Sequence, residues 1–205
     1  NTYQTCQDWE FGRILEVAEN AGYHGVELLM DYQQKHGFEW DTPEEQWPGL
    51  KDKVDASGLV ISSLTSCQKF QSLQAEDRGE SVRRVKRVID MADFMDCDHV
   101  RVLGDRFDDN TRDAVVGYVT NALKKLGQYA QPKGITVSIE MHGSFTHLDP
   151  AMAVIGGVNL PNVGFVFNSQ FVGCENGRID ALFSRIAAHI TAVHTHATEV
   201  PETFE

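Results

Sequence analysis

The sequence predicts an α/β fold in which short strands alternate with helices along a single chain of 205 residues. Six apolar runs begin roughly 25 to 40 residues apart, and segments of helical spacing lie between them. Strands that alternate with helices pair in parallel through right-handed crossovers. Two architectures fit this order, a closed eight-stranded barrel and an open doubly wound sheet.

The first helix and the first strand are marked by a cap, an apolar stripe and a stop. Asp8 offers a side-chain acceptor to the free amides of a helix that runs to Ala21, with Phe11 on its buried stripe. Gly22 is a natural C-terminal stop. The apolar run at 25–30 then reads as a strand, interrupted by one glutamate.

The segment 31–48 is longer than the loops of compact folds usually are, and loops of this kind often form lids or binding edges. Two interpretations of its tryptophans stay open. In the first interpretation, Trp40 and Trp47 stack on a ligand, which makes Trp40 a candidate substrate-binding residue. In the other they fill a small core of the loop itself.

The remaining elements follow the same two periods. Further helices are expected at 50–57, 78–94, 111–131, 149–156 and 179–188. Further strands are expected at 59–65, 99–104, 133–142, 163–169 and 190–196. The helix at 78–94 carries a basic cluster, most simply a solvated face, which consists of Arg83, Arg84, Lys86 and Arg87.

The barrel explains the sequence better than the open sheet does. No glycine-rich phosphate loop of the G-x-G-x-x-G or Walker type follows the first strand. In the strand at 133–142, Ile139 and Met141 point to one side, while Ser138, Glu140 and His142 point to the other. An apolar face toward the helices and a polar face toward the axis is the asymmetry of a barrel strand near its carboxyl-terminal mouth.

A complete barrel of this type needs about 250 residues. We therefore expect residues 1–205 to form one domain, a TIM (β/α)8 barrel without its first and last strands.

Composition limits the partners and the compartment. The formal net charge of −12 opposes binding to nucleic acid, and no apolar run approaches the roughly 18 residues of a membrane span. Cys6, Cys67, Cys97 and Cys174 lack the C-x-x-C spacing of a zinc or redox site, so reduced thiols in a cytoplasmic protein are expected.

Polar side chains follow three successive strands of the predicted barrel at their carboxyl ends, where the active sites of barrel enzymes lie. They are Glu140, His142, Asn168, Gln170, His194, His196 and Glu199. Carboxylate, amide oxygen and imidazole ligands suit Mn²⁺, Mg²⁺, Co²⁺ or Zn²⁺. Each residue also has a plainer interpretation. In the plainer interpretation of Glu140, for example, its carboxylate forms an ion pair with a neighbouring cation such as Arg101.

Four short motifs resemble those of the xylose isomerase-like TIM barrels, a superfamily of sugar isomerases, sugar epimerases, inosose dehydratases and endonuclease IV. The segment 22–29 resembles the G-[FY]-x-G-[VI]-E-[LI] opening, and 139–143 resembles the E-x-H-G signature of the fifth barrel strand. The segment 160–164 is similar to the P-N-[VI]-G lead into the sixth strand, and 196–199 resembles the H-x-[KG]-[DE] of the seventh.

The resemblance implies a divalent-metal-dependent isomerase or epimerase of a sugar, sugar phosphate or polyol. Glu140 would be a metal ligand and the base that removes a proton next to a carbonyl, and His196 would be a second ligand. His194 would lie beside His196, and His142 would contact the small-molecule substrate, as we expect of Arg101. Barrels of this kind often pair, so a homo-oligomer stays open.

The chain departs from the family pattern at the sixth strand, where the family usually has Asp, often with a His three residues later. This sequence has Asn168 and Phe171. An amide oxygen without charge binds a metal more weakly. A non-catalytic carbohydrate-binding barrel with a degenerate metal site is therefore the alternative. An endonuclease is disfavoured by the acidic charge.

Overall fold

Six parallel strands form one sheet in the computed structural model, which describes residues 1–3, 5–169 and 179–195, with the backbone only at 179–182. The strands are β1 (Gly25–Leu29), β2 (Val60–Thr65), β3 (His99–Leu103), β4 (Thr136–Glu140), β5 (Val163–Asn168) and β6 (Ile190–His194). Each is hydrogen-bonded to the next along the chain.

The helices alternate with the strands along the chain, as predicted, and α1 precedes β1. They are α1 (Phe11–Asn20), α2 (Trp47–Ser57), α3 (Ala75–Phe94), α4 (Arg112–Ala130), α5 (Leu148–Val158) and α6 (Ile179–Ile186). The start of α1 differs from the prediction, because Glu10 rather than Asp8 occupies the N-cap position and no side chain caps the helix. No helix in the described part of the chain is long and apolar enough to cross a membrane.

The strand order identifies the barrel. A doubly wound sheet reverses its order at a switch point, whereas this sheet runs from β1 to β6 without reversal. Crossovers of one hand then place every helix on the same outer face. The sheet curls until His194 of β6 lies 3.1 Å from Glu27 of β1 across the interior. The chain thus folds as six strands of a TIM barrel.

The outer face of the sheet carries the hydrophobic core. Val100, Val137, Ile139 and Phe165 are each at most 1% exposed and belong to one continuous cluster with the helices. Leu123 of α4 is equally buried in that cluster. The apolar side predicted for β4 is therefore the side that packs against the helical layer.

The inner face is polar even deep in the barrel. The His99 ring lies between two hydroxyl groups, with Nδ1 2.8 Å from Ser63 Oγ and Nε2 2.9 Å from Ser138 Oγ. Ser138 Oγ is in turn 2.6 Å from Thr191 Oγ1 on β6. Burial lowers the pKa of His99, so its ring is neutral and bonds the hydroxyls. These hydrogen-bonded side chains form a polar layer in the barrel interior, below its carboxyl-terminal mouth.

Trp40 and Trp47 pack against α3, and the predicted 31–48 loop is shorter than expected because α2 already begins at Trp47. The Arg84 guanidinium lies 4.4 Å from the centre of the Trp40 ring, and Arg87 lies 5.0 Å from that of Trp47. Trp47 is only 6% exposed and donates from Nε1 to the Thr42 carbonyl. The basic cluster of α3 thus holds this loop by cation–π contacts in addition to meeting solvent.

Three of the four cysteines, Cys6, Cys67 and Cys97, are free thiols, in agreement with the sequence-based expectation. Burial raises the pKa of Cys97 to about 11, which keeps this thiol protonated. Cys174 lies outside the described residues.

Close approach of two strands makes Gly164 the most informative position for testing this packing. A Cβ there would lie 2.5 Å from the His189 carbonyl oxygen and 2.5 Å from Thr191 Cγ2. We expect Gly164→Ala to lower the free energy of unfolding by about 1–3 kcal/mol, because the backbone must move to admit the methyl group. Urea unfolding followed by circular dichroism measures this.

The matched control is Gly156→Ala in α5, where a Cβ meets nothing within 4 Å. Alanine favours helix over glycine by roughly 0.5–1 kcal/mol, so this variant should be at least as stable as the wild type. A Gly164→Ala protein as stable as Gly156→Ala would contradict the strand packing described above.

Candidate active site at the carboxyl end of the barrel

Glu140, the last residue of β4, is the centre of a buried polar cluster. Asn168 donates from Nδ2 to Glu140 Oε1 over 2.6 Å, and Arg101 Nε lies 3.1 Å from Oε2. His194 Nδ1 lies 3.5 Å from Oε1. Glu140 is 5% exposed, so four strands bring their side chains to one shielded carboxylate.

The parallel register explains why these residues converge. Leu103 pairs with Glu140 between β3 and β4, and Asn168 pairs with His194 between β5 and β6. Parallel strands end at the same edge of the sheet, and inward-facing positions of neighbouring strands lie side by side. The sequence-based prediction that Glu140, Asn168 and His194 face one mouth agrees with this placement.

The cluster is strongly coupled electrostatically. Burial alone raises the pKa of Glu140, but the His194 hydrogen bond, the Arg101 charge and the Asn168 hydrogen bond together bring it down to about 2. Burial lowers the pKa of His194, yet its contacts with Glu140 and Glu27 raise it to about 9. The cluster therefore holds ionised Glu140, protonated His194 and Arg101 together at neutral pH.

Glu27 joins the same cluster from β1, although the sequence-based prediction did not assign it to the site. Burial raises its pKa, but the hydrogen bond and charge of His194 outweigh burial and lower it. Asn1 donates from Nδ2 to the other carboxylate oxygen. The available signal was one glutamate inside an apolar strand, which is rare unless the charge has a partner.

Arg101 is buried beside Glu140, and the two side chains form the ion pair that the sequence analysis gave as the alternative interpretation of Glu140. Its side chain is 7% exposed, and NH1 donates to the Ser66 carbonyl over 3.2 Å. Substrate binding by Arg101 stays a prediction. In this structure the guanidinium lies against protein groups.

Asp31, two residues beyond the end of β1, is a second residue that sequence reasoning missed. Its Oδ2 accepts from the Cys67 amide over 2.7 Å and from Ser66 Oγ over 3.1 Å. Its Oδ1 accepts from Gln68 Nε2 over 2.9 Å. Asp31 therefore fixes the loop whose Ser66 carbonyl receives Arg101. The signal was weak, since an acidic residue after a strand is common.

His142 lies on the rim, two residues beyond Glu140, with 31% of its side chain exposed. Its Nδ1 is 3.6 Å from Asp105 Oδ1, and Lys69 Nζ is 2.6 Å from Asp105 Oδ2. Trp40 instead packs under Arg84, as described above, and its contact with substrate stays a prediction. His196, Gln170 and Glu199 lie outside the described residues.

The side chains around Glu140 are of the types that bind a divalent ion, but their positions in this structure do not form a metal site. Glu140, Asn168 and His194 provide a carboxylate, an amide and an imidazole at one point, the ligand types of such ions. In the described part of the chain, no group of three or more His, Cys, Asp or Glu side chains is placed to hold a metal. Rotation of the Asn168 amide would present its oxygen in place of its nitrogen.

Solved structures of similar fold include sugar epimerases. The 3-keto-D-glucoside 4-epimerase YcjR from E. coli aligns with a TM-score of 0.77 at 14% identity, over 95% of this chain and 76% of its own. A D-psicose 3-epimerase solved in the presence of D-fructose aligns with a TM-score of 0.78 at 13% identity, over 96% and 71%. At this identity the likeness shows the fold.

A third similar structure is the IOLI protein with a bound zinc atom, with a TM-score of 0.77 at 17% identity, over 96% of this chain and 71% of its own. Compared with curated protein sequences, the chain has no match. The family model described as xylose isomerase-like TIM barrel matches residues 15–203, nearly the whole chain. Strand order, the polar mouth and this match lead to one conclusion: the chain belongs to the xylose isomerase-like TIM barrel family.

Proposed function

We propose that the protein is a divalent-metal-dependent isomerase or epimerase of a sugar, sugar phosphate or polyol, and that it moves a proton next to a carbonyl group. The observation that carries the proposal is the buried Glu140 carboxylate at the barrel mouth, in contact with Asn168 and His194. Epimerases among the structures of similar fold and the family match support the reaction class.

Glu140 is the proposed base. Its low pKa keeps it ionised at neutral pH, so it is ready to accept a proton but is only weakly basic while His194, Arg101 and Asn168 all contact it. A base works best with a pKa near the operating pH. Substrate binding that takes His194 or Asn168 away from the carboxylate would remove one of the contacts that lower the pKa of Glu140, so the pKa would rise and the base would be stronger.

The residues proposed to hold the metal are Glu140, Asn168 and one histidine. The motif resemblance assigns this ligand to His196, whereas among the described residues His194 is the histidine beside Glu140. Because the pKa of His194 is raised to about 9, its ring would have to lose a proton in order to bind a metal. Bound by these residues, a divalent ion would supply Lewis-acid polarisation of a carbonyl oxygen. Mn²⁺, Mg²⁺, Co²⁺ and Zn²⁺ are all consistent with these ligand types.

One observation favours the alternative of a non-catalytic carbohydrate-binding barrel. Both oxygens of Glu140 already have cationic or amide N–H groups beside them, and Asn168 contributes no charge to a metal site. A domain that only binds sugar would show affinity without proton exchange. Deuterium uptake from D₂O at the carbon next to the carbonyl, read by proton NMR over a panel of ketoses and aldoses, separates the two functions.

Replacement of Glu140 tests the base directly. We expect Glu140→Gln and Glu140→Asp each to lower kcat/KM by at least about 100-fold, because a positioned general base contributes about 10²–10⁴. Deuterium uptake into the best substrate of the panel measures it. The Asp variant retains a carboxylate but shortens the side chain by one methylene, so it separates lost positioning of the base from loss of the buried negative charge beside Arg101.

The matched control is Glu16→Gln, since Glu16 is an exposed residue of α1 far along the chain from the site. It should keep wild-type turnover. Undiminished turnover in Glu140→Gln would refute the proposed role of Glu140.

Asn168→Asp tests the metal site by a gain of function. Without metal, the new carboxylate lies against Glu140 Oε1, 2.6 Å from the present amide nitrogen, so repulsion should lower the melting temperature. With metal, a charged ligand binds more tightly. Saturation at 100 times Kd stabilises by about 2.7 kcal/mol, so Mn²⁺ should raise the melting temperature more in the variant than in the wild type.

Differential scanning fluorimetry with and without Mn²⁺ measures this shift. Asn110→Asp is the control, because Asn110 is exposed and lies in the loop before α4. A melting temperature of Asn168→Asp that does not respond to Mn²⁺, Co²⁺ or Zn²⁺ would count against a metal at this position.

A further inference from the structure

Strand β6 carries a β-bulge near its start. Ile190 of β6 pairs with Phe165 of β5. The next pair along the two strands is Ala192 with Val166, so Thr191 is the extra residue of the bulge. Bulges change the direction of the side chains that follow them and are frequent next to active sites.

The bulge decides which side chain of β6 faces the interior. Ile190 packs against the hydrophobic cluster of the outer face, whereas His194 lies 3.5 Å from Glu140 and 3.1 Å from Glu27 inside the barrel. Side chains four residues apart lie on the same face of a regular strand. A regular β6 with Ile190 in the core would therefore turn Val193 inward in place of His194. In this structure Val193 is 53% exposed.

Both branches of the Thr191 side chain are in contact with neighbouring strands. Its hydroxyl group donates to the carbonyl of Phe165, the residue beside the bulge, over 2.9 Å. Because a hydroxyl has one proton, the Ser138 hydroxyl, 2.6 Å away on β4, donates to Thr191 Oγ1. The Thr191 methyl group occupies the space above Gly164, where a Cβ would lie 2.5 Å from Thr191 Cγ2. β4 and β5 thus fix the bulged residue of β6.

We propose that Thr191 is a positioning residue whose hydroxyl group stabilises the bulge and so turns His194 toward Glu140 and Glu27. Loss of the hydroxyl removes one hydrogen bond from each of its two neighbours and favours opening of β6 from β5. The relevance to a reaction rests on the proposed function, in which Glu140 is the base and His194 is one of its contacts. The link between Thr191 and His194 is a property of the fold, so it is tested without substrate.

Amide hydrogen exchange followed by NMR tests this link. The Ser169 amide donates to the His194 carbonyl over 2.9 Å, so its exchange rate reports opening of β6 from β5 at the level of His194. Thr191→Val replaces the hydroxyl with a methyl group of similar size. We expect it to raise the Ser169 exchange rate about three- to tenfold, the effect of one neutral hydrogen bond. Thr191→Ser retains the hydroxyl and should stay within about twofold of the wild type.

Two controls distinguish positioning from a general loss of stability. Thr120→Val removes a hydroxyl that donates to a backbone carbonyl over 2.7 Å within α4, and it should leave exchange at Ser169 unchanged. The Thr136 amide at the start of β4 donates over 2.8 Å to the residue before β3, and it should exchange at the wild-type rate in Thr191→Val. A Thr191 that only stabilised the whole fold would raise exchange at both amides by the same factor.

The direction of the side chains is measured in the wild type. We expect nuclear Overhauser contacts between the His194 ring and the Glu140 side chain. A dissolved paramagnetic agent should broaden the methyl signals of the exposed Val193. Thr191→Ala is the second variant, because it removes the hydroxyl without placing a methyl group there, and it should speed Ser169 exchange at least as much as Thr191→Val.

Turnover provides a further measurement. If the protein exchanges protons on a sugar, Thr191→Val should lower kcat at least about threefold with KM little changed, since a small misplacement at the reacting centre slows the chemical step. Thr191→Ser should restore kcat to within about twofold of the wild type.

The outcomes separate this inference from the proposed function. Unchanged Ser169 exchange in folded Thr191→Val and Thr191→Ala, or Val193 methyl groups shielded from the paramagnetic agent, overturns the positioning role whatever the protein catalyses. Faster exchange with unchanged kcat overturns the relevance to the reaction alone. Faster exchange in a protein that moves no proton on any sugar supports the positioning of His194 while refuting the proposed reaction.

Discussion

The cost of burying the Glu140 carboxylate is the constraint on which the mouth of this barrel depends. A shielded charge is expensive unless it is paired and hydrogen-bonded, and here β3, β5 and β6 each supply one partner. Removal of one partner from a buried pair typically costs about 3–5 kcal/mol, because the other charge is left without compensation. The positions of Arg101, Asn168 and His194 are therefore coupled to one another through Glu140.

That coupling extends both outward and downward. Outward, Arg101 donates to the Ser66 carbonyl, and Asp31 holds the Ser66 loop, so the end of β1 influences a guanidinium on β3. Downward, the hydroxyl groups of Ser63 and Ser138 bond the neutral His99 ring, which satisfies polar atoms under the charged layer. The interior is thus layered, with neutral hydrogen bonds below and ion pairs at the mouth.

The same arrangement is relevant to chemistry. In the proposed reaction, the pKa of Glu140 would rise, and Glu140 would become a stronger base, when one of its partners turned to a substrate. His194 is such a partner, since it contacts Glu140 through Nδ1 and Glu27 through Nε2. Glu27 is positioned to retain the imidazole when Glu140 changes its contacts. Under the proposed function, β1, a strand without an assigned role in the sequence-based site, would help to control the basicity of Glu140.

The sequence by itself determined the alternation of strands and helices, the apolar side of β4 and the polar residues at the strand ends, which are Glu140, Asn168 and His194. It could do so because periodicity and strand ends are local properties. It did not determine the cap of α1, the packing of Trp40 under Arg84 or the contacts of Glu27, Asp31 and Asp105. Apart from the helix cap, these depend on partners 26 or more residues away in the chain, which only the tertiary structure brings into contact. The local sequence pattern specifies which face of a strand is polar, whereas the tertiary structure decides which charged side chains contact one another.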